Sequence, residues 1–181
     1  DVGSNLGYFA LLWASYGPDN RCIAVEASPR NVAILRRNIE ENQFEQRITL
    51  VPHAVGEMKG RLQFDPGPGD QTGWGGLTNT KGKSNLEVDV ERLDEIIRSD
   101  EPITLLKVDI EGADAWALKG CHRLLKSRLV REVWFEQTKS RARALGISET
   151  AAQEYLQSVG YAVSPLNDPS SDLVEWVATP K

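Results

Sequence analysis

Short apolar runs alternate with amphipathic stretches along most of this chain. Leu6 to Tyr16 reads as a helix that leaves a glycine loop and stops at Gly17-Pro18. Cys22-Ile23-Ala24-Val25 is a compact apolar run ending in Glu26, which predicts a buried strand. Ser28-Pro29 starts the next helix, because Ser can cap and Pro suits the first helical position. Val32, Leu35 and Ile39 give it an apolar stripe. Ile48 to Val51 is a further strand, ending at Pro52-His53.

The middle of the chain departs from this rhythm. Arg61 to Phe64 and Leu86 to Val90 read as the two strands of a hairpin or edge pair. Between them lies PGPGDQTGWGGLTNTKGKS, a glycine-rich insertion within residues of about 61–90. Loops of that length are either functional or disordered, and Trp74 among the glycines suggests a lid or a substrate-facing loop. The alternation then resumes. A short helix is expected over Val90 to Arg98, and a strand over Ile103 to Val108, interrupted by Lys107 and ending at Asp109. A helix over Ala113 to Leu125 and a strand over Val130 to Phe135, ending at Glu136, follow. The last helix, Ser148 to Val159, is capped by Ser148 and closed by Gly160. Tyr161 to Ser164 and Leu173 to Thr179 can pair as a terminal hairpin.

Repeated strand–helix units predict an α/β fold: a mainly parallel sheet, helices on both faces, and a C-terminal antiparallel strand pair. Residues 1–181 read as a single domain. Ligands of such sheets bind beyond the carboxyl ends of the strands. Glu26, His53, Asp109, Glu111 and Glu136 all fall there.

Composition narrows the function classes. A formal net charge of −5 repels polyanions and disfavours nucleic-acid binding. No run approaches the ~18 apolar residues of a membrane span, and no signal peptide is visible, so a cytoplasmic setting is expected. Cys22 and Cys121 each sit in or beside an apolar run, which reads as buried free thiols.

The opening DVGSNLG is a candidate ligand loop. Gly3 and Gly7 permit close backbone approach, and the helix behind them directs free N–H groups forward. The spacing is neither GxGxxG nor a phosphate loop. A leading acid, Asp1, repels a pyrophosphate but suits a ligand carrying a cation; an ordinary tight turn is the bland alternative. Glu26, at the end of the second strand, stands where an acid accepts ribose hydroxyls. Together the two features suggest a nucleoside without a pyrophosphate. Such a loop follows an apolar strand, so Asp1 reads as a cut at the edge of the motif, with about five strand residues expected upstream.

DVGSNLGYF, VEASP, VPHAVGE and LLKVDIEGAD, in that order and spacing, resemble the FkbM family of S-adenosylmethionine-dependent methyltransferases. The resemblance implies a Rossmann-like, doubly wound sheet whose first strand is truncated here. It implies that Asp1, Gly3, Asn5 and Gly7 hold the methionine part of S-adenosyl-L-methionine. Glu26 would bind the ribose, Ala27 and Ser28 would line the adenine side, and His53 and Ala54 would meet the adenine edge. Asp109 and Glu111 would face the cofactor methyl and the acceptor.

KVDIEGAD supports this independently. Asp109 and Glu111 at a strand end can converge on one ligand, and close approach would raise the pKa of one of them. Methyl transfer to an alcohol needs a base. A divalent metal such as Mg²⁺ also suits carboxylates, but no full ligand set is visible. The alternative reading of Glu111 is an acid at a helix N-terminus. His122 reads as a satisfied histidine, Lys107 as reaching an acid, Trp116 and Trp134 as core, and Glu136 and Gln137 as lining an acceptor pocket. The basic run KSRARALG reads as a solvated loop or helix start.

The expected activity is therefore O-methylation of a small molecule, sugar or glycan acceptor. A non-catalytic nucleoside-binding or interaction domain is the alternative. A nicotinamide-dependent reductase lacks its GxGxxG and its catalytic pair.

Overall fold

The computed structural model describes residues 1–69, 71–80, 82 and 85–181. Asp1 to Gly3 lie in the middle of the main sheet. Val2 bridges in parallel to Val25 on one side and to Val108 on the other. Gly3 N donates to Val25 O at 2.9 Å, and Asp109 N donates to Val2 O at 3.0 Å.

On the Val25 side, α1 (Tyr8–Ser15) leads to β1 (Cys22–Val25), α2 (Pro29–Glu41) and β2 (Ile48–Val51), with β1 and β2 parallel. Ala10 and Ala14 of α1 and Leu35 and Ile39 of α2 pack on Ala24 and Ile48. Full burial of a leucine such as Leu35 contributes roughly 1.5–3 kcal/mol.

The chain then builds a smaller sheet from β3 (Ala54–Val55), β4 (Gly60–Asp65), β5 (Gly76–Thr78) and β6 (Leu86–Glu91), in the order β3-β6-β4-β5. β4 and β6 pair antiparallel, Arg61 opposite Asp89, as the hairpin pattern predicts. The glycine-rich insertion is not structureless: a 3₁₀ turn at Thr72–Trp74 leads into β5. Of the insertion, Asp70, Lys81, Lys83 and Ser84 lie outside the described residues.

After α3 (Leu93–Ile96), β7 (Leu106–Val108) returns to the main sheet. α4 (Asp114–Lys119) and α5 (His122–Lys126) precede β8 (Val133–Thr138), and α6 (Lys139–Ala144) and α7 (Ala151–Ser158) precede β9 (Tyr161–Pro165) and β10 (Leu173–Pro180). β7 and β8 are parallel, whereas β10 runs antiparallel to both β8 and β9. The order is β2-β1-Val2-β7-β8-β10-β9, the mainly parallel sheet with an antiparallel C-terminal pair that the pattern predicts.

Several boundaries differ from expectation. The region over Val90 to Arg98 is split between β6 and the short α3. Ile103 and Val130 form only an isolated bridge, so β7 starts later and β8 extends past Glu136 to Thr138. The helix expected over Ala113 to Leu125 is broken at Gly120-Cys121 into two. KSRARALG forms the helix α6. Ser28 sits at the N-cap of α2 without a cap bond from its hydroxyl, and α7 is preceded by Thr150, not Ser148.

The main core lies under β1, β7 and β8, where Val25, Val108 and Phe135 meet α4, α5 and α7. On the opposite face, β8 presents Trp134 and Glu136. Trp134 is 46% exposed, contrary to its expected core role, because strand alternation turns it away from Val133 and Phe135. Trp116 packs against the core as expected. Cys121 is buried, Cys22 half-buried, and both are free thiols.

Candidate functional site

The carboxyl ends of β1, β2, β7 and the Asp1–Gly3 segment converge, and the loops leaving them enclose a small pocket. Gly3 fixes its floor. Its φ is +78°, and an added Cβ would lie 1.8 Å from the Asp109 carbonyl oxygen. The side-chain-free backbone therefore lets the ends of two strands meet. Gly7, with φ +91°, is required differently: a Cβ there would strike Leu35 Cδ1 at 2.3 Å. It lets α1 pack on α2 and does not line the pocket.

Glu26 is buried at the pocket wall. Its two carboxylate oxygens accept backbone N–H groups from Asn5 and Ser28, each at 2.8 Å. Burial pushes its pKa up, and these bonds oppose the rise. Each oxygen keeps a lone pair for a further donor. In the pocket wall, three buried polar atoms have no partner among the described residues: Asn5 Oδ1, Asn31 Oδ1 and His53 Nδ1. Ala27 and Ala54 supply apolar wall between them.

Asp109 and Glu111 leave β7 together but take different surroundings. Lys107 Nζ lies 3.1 Å from Asp109 Oδ2 and 3.4 Å from Asp1 Oδ1, so the expected reach of Lys107 to an acid is found twice. Glu111 adopts φ +56°, a left-handed conformation that costs a non-glycine residue about 1–3 kcal/mol. It pairs with Arg141 Nε of α6 at 3.3 Å. Burial raises the Glu111 pKa, Arg141 opposes that, and Asp109 adds to it.

The insertion forms the outer wall. Asn31 Nδ2 donates to Thr72 O at 2.9 Å and Arg141 Nη1 donates to Trp74 O at 3.1 Å. With Thr72 to Leu77 in this position the pocket encloses about 70 Å³. The Trp74 ring is 58% exposed and does not line the pocket; its backbone carbonyl is the part that is held.

A second, larger space of about 900 Å³ lies between the facing edges of β1 and β7, in line with Asp1, and reaches Trp134 and Glu136 of β8. Lys107, Glu136, Trp134 and Phe9 line it, and so does Asp1, on the far side of the sheet segment from Asn5 and Glu26. Val2, Val25 and Asp109 line both spaces. Asp109 therefore stands between the two spaces, Glu111 faces only the pocket, and Glu136 faces only the larger space.

Of the residues named from sequence, Gly3, Asn5, Glu26, Ala27, His53, Ala54, Asp109 and Glu111 line the pocket; Asp1, Gly7 and Ser28 do not. Gln137 is buried and donates to Glu149 O, away from the larger space. His122 bonds Tyr155 Oη at 2.9 Å, the satisfied histidine expected. Three residues were missed: Asn31, Arg141 and Asp114. The last is a buried carboxyl, its pKa held well above the usual range by burial, with Oδ1 unpartnered. Its only sequence signal was its place in KVDIEGAD. Among the described residues, no three His, Cys, Asp or Glu side chains gather as a metal site, and no helix is long and apolar enough to cross a membrane.

A family model described as the methyltransferase FkbM domain matches residues 1–163. The chain belongs to the FkbM methyltransferase family. An FkbM methyltransferase from Methylobacillus flagellatus KT superposes with a TM-score of 0.67 at 21% identity, over 99% of this chain and 42% of that one. Methyltransferase sdnD from Sordaria araneosa is 26% identical over 168 residues, which are 74% of this chain and 65% of that protein. The chain thus spans less than two thirds of either relative. The N-terminal domain of human METTL16, solved in complex with SAH, shares the fold at a TM-score of 0.53 and 15% identity, over 99% of this chain and 59% of that one. The FkbM methyltransferase fold thereby accounts for the sheet order and for the pocket at its carboxyl edge.

Proposed function

We propose that this FkbM-family chain binds S-adenosyl-L-methionine in the Glu26 pocket and transfers its methyl group to a hydroxyl of a small-molecule, sugar or glycan acceptor. The observation that carries the cofactor is the set of pocket-wall atoms Asn5 Oδ1, Asn31 Oδ1 and His53 Nδ1, orphaned among the described residues. Buried polar atoms without partners are rare, and a nucleoside offers the hydroxyls and ring nitrogens to match them.

The roles follow from position. The free lone pairs of Glu26 accept ribose hydroxyls. Ala27, Ala54 and His53 form the base side, His53 through its unpaired Nδ1. Gly3 and Asn5 face the amino-acid tail. Asp1 sits against Lys107 and contributes negative charge from behind the strand end. Ligand pockets hold roughly 300–1,000 Å³, against about 70 Å³ here. Thr72 to Leu77 must therefore swing outward to admit the ligand and close again over it, which makes the insertion a lid. When bound, S-adenosylmethionine supplies a methyl group that a nucleophile can attack. The chain's part is to align the acceptor past Asp109 and exclude water from that junction.

Methyl-labelled S-adenosylmethionine, offered with paired probes, tests the reaction class. The probes are methyl glucoside and catechol as hydroxyl acceptors, and glucosamine and a fatty acid as amine and carboxyl acceptors. The reading expects label in hydroxyl compounds as alkali-stable ethers. Label found only in amines or in alkali-labile esters would contradict it.

A further inference from the structure

We infer that Asn31 reads the ribose of the bound nucleoside and ties it to the insertion: its Oδ1 accepts a ribose hydroxyl while its Nδ2 holds the Thr72 carbonyl. This rests on the S-adenosylmethionine reading above and assigns within it a residue that none of the four sequence motifs contains.

Asn31 is a polar residue in an apolar position. It shares the buried face of α2 with Leu35 and Ile39 at helical spacing, and it is 3% exposed. A buried amide costs stability unless its atoms are hydrogen-bonded, and only one end of this one is served. Nδ2 donates to Thr72 O at 2.9 Å. A carbonyl can only accept, so this bond fixes which end of the amide is nitrogen. Oδ1 is thus an acceptor, buried in the pocket wall and without a partner among the described residues. It requires a hydrogen-bond donor from the ligand.

Its neighbours select the donor. Asn31 faces the Glu26 carboxyl: burial raises that group's pKa, the N–H groups of Ser28 and Asn5 lower it, and the Asn31 side chain adds to their effect. Asn31 and Glu26 therefore address the same ligand atoms. In the roles assigned above, the adenine lies toward His53 and Ala54, and the amino-acid tail toward Gly3 and Asn5. The ribose hydroxyls are the donors left for Asn31.

The other end of the amide couples this contact to the insertion. Thr72 lies where the insertion crosses the pocket, and a Cβ on the next residue, Gly73, would stand 3.5 Å from Asn5 Nδ2. An amide that accepts at Oδ1 is polarised and donates more strongly from Nδ2. A ribose hydroxyl on Oδ1 therefore tightens the hold on Thr72 O, and a closed insertion orients Oδ1 for the hydroxyl. By linkage, ligand binding and closure favour one another to the same degree.

Isothermal titration of the full chain compares S-adenosylhomocysteine with its 2′-deoxy and 3′-deoxy analogues. Asn31→Ala should weaken S-adenosylhomocysteine about tenfold. It should weaken the analogue that lacks the hydroxyl read by Asn31 by no more than about twofold. Equal losses for all three ligands would make Asn31 a purely structural residue and overturn the assignment. Hydrogen exchange reads the insertion end. Saturating S-adenosylhomocysteine should slow exchange of the Thr72 to Leu77 amides in the wild type, and far less in Asn31→Ala. Asn31→Asp keeps the shape and the acceptor but loses the donor, so it should lose this slowing even where the alanine variant folds poorly. Full slowing in Asn31→Asp overturns the coupling. Failure of the wild type to bind S-adenosylhomocysteine overturns the methyl-transfer reading, and this inference with it. Normal wild-type binding with equal losses, or with full slowing in the variants, overturns this inference alone.

Discussion

A Cβ on Gly3 would lie 1.8 Å from the Asp109 carbonyl, at a φ of +78° where side chains are strained. Gly3→Ala should therefore cost about 3 kcal/mol or more, a melting-temperature fall of roughly 6–12 °C for a chain of this size. Calorimetry checks it, and an unchanged Tm would mean that the strand ends do not meet as described. Glu136 makes a second prediction at this scale. Burial, then the like charges of Asp109, Glu111 and Glu175, raise its pKa from 4.5 in the unfolded chain to about 7 in the folded one. The folded state then binds more protons between those values, so this group's contribution to stability falls as pH rises through the window. Glu136→Gln removes that loss. It should be more stable than wild type at pH 8, by on the order of 1 kcal/mol once screening at a half-exposed site is allowed for. The gain should vanish near pH 4.5, and melting curves across pH read it. Local motifs made Glu26 and Asp109 legible in the sequence, because each sits in a short signature at a strand end. Glu136 was visible only as a strand-end acid.

At the scale of elements, the insertion is the instructive case. Its glycines signalled a loop, and nothing local showed that Gly76–Thr78 pairs with β4 as the strand β5. Nor could the sequence show that Arg141, read as part of a solvated basic run, reaches the Trp74 carbonyl. Arg141 and Trp74 lie 67 residues apart. Strand–helix alternation survived because burial on both faces leaves a clear apolar signature. The cap expected at Ser28 is not made, and its hydroxyl has no partner among the described residues. Arg141→Ala releases both Glu111 and the Trp74 carbonyl. S-Adenosylhomocysteine should then associate several-fold faster in stopped flow, followed by the exposed Trp74 with Trp74→Phe as the control. An unchanged rate would mean that the insertion does not gate the pocket.

Over the whole molecule, Val2 joins two half-sheets by bridges to Val25 and Val108. The small pocket lies at the carboxyl side of that junction, with Asp109 in its wall. The fold class was legible from periodicity, and the family from four short motifs. The outward facing of Trp134 was not legible, because it sits in a strand that reads as core. Isothermal titration of the full chain with S-adenosylhomocysteine tests the central claim most directly. The account predicts one site with a Kd in the micromolar range, weakened at least about tenfold in Glu26→Gln by loss of a charged hydrogen-bond acceptor. No heat of binding up to millimolar ligand, or full affinity in Glu26→Gln, would contradict it.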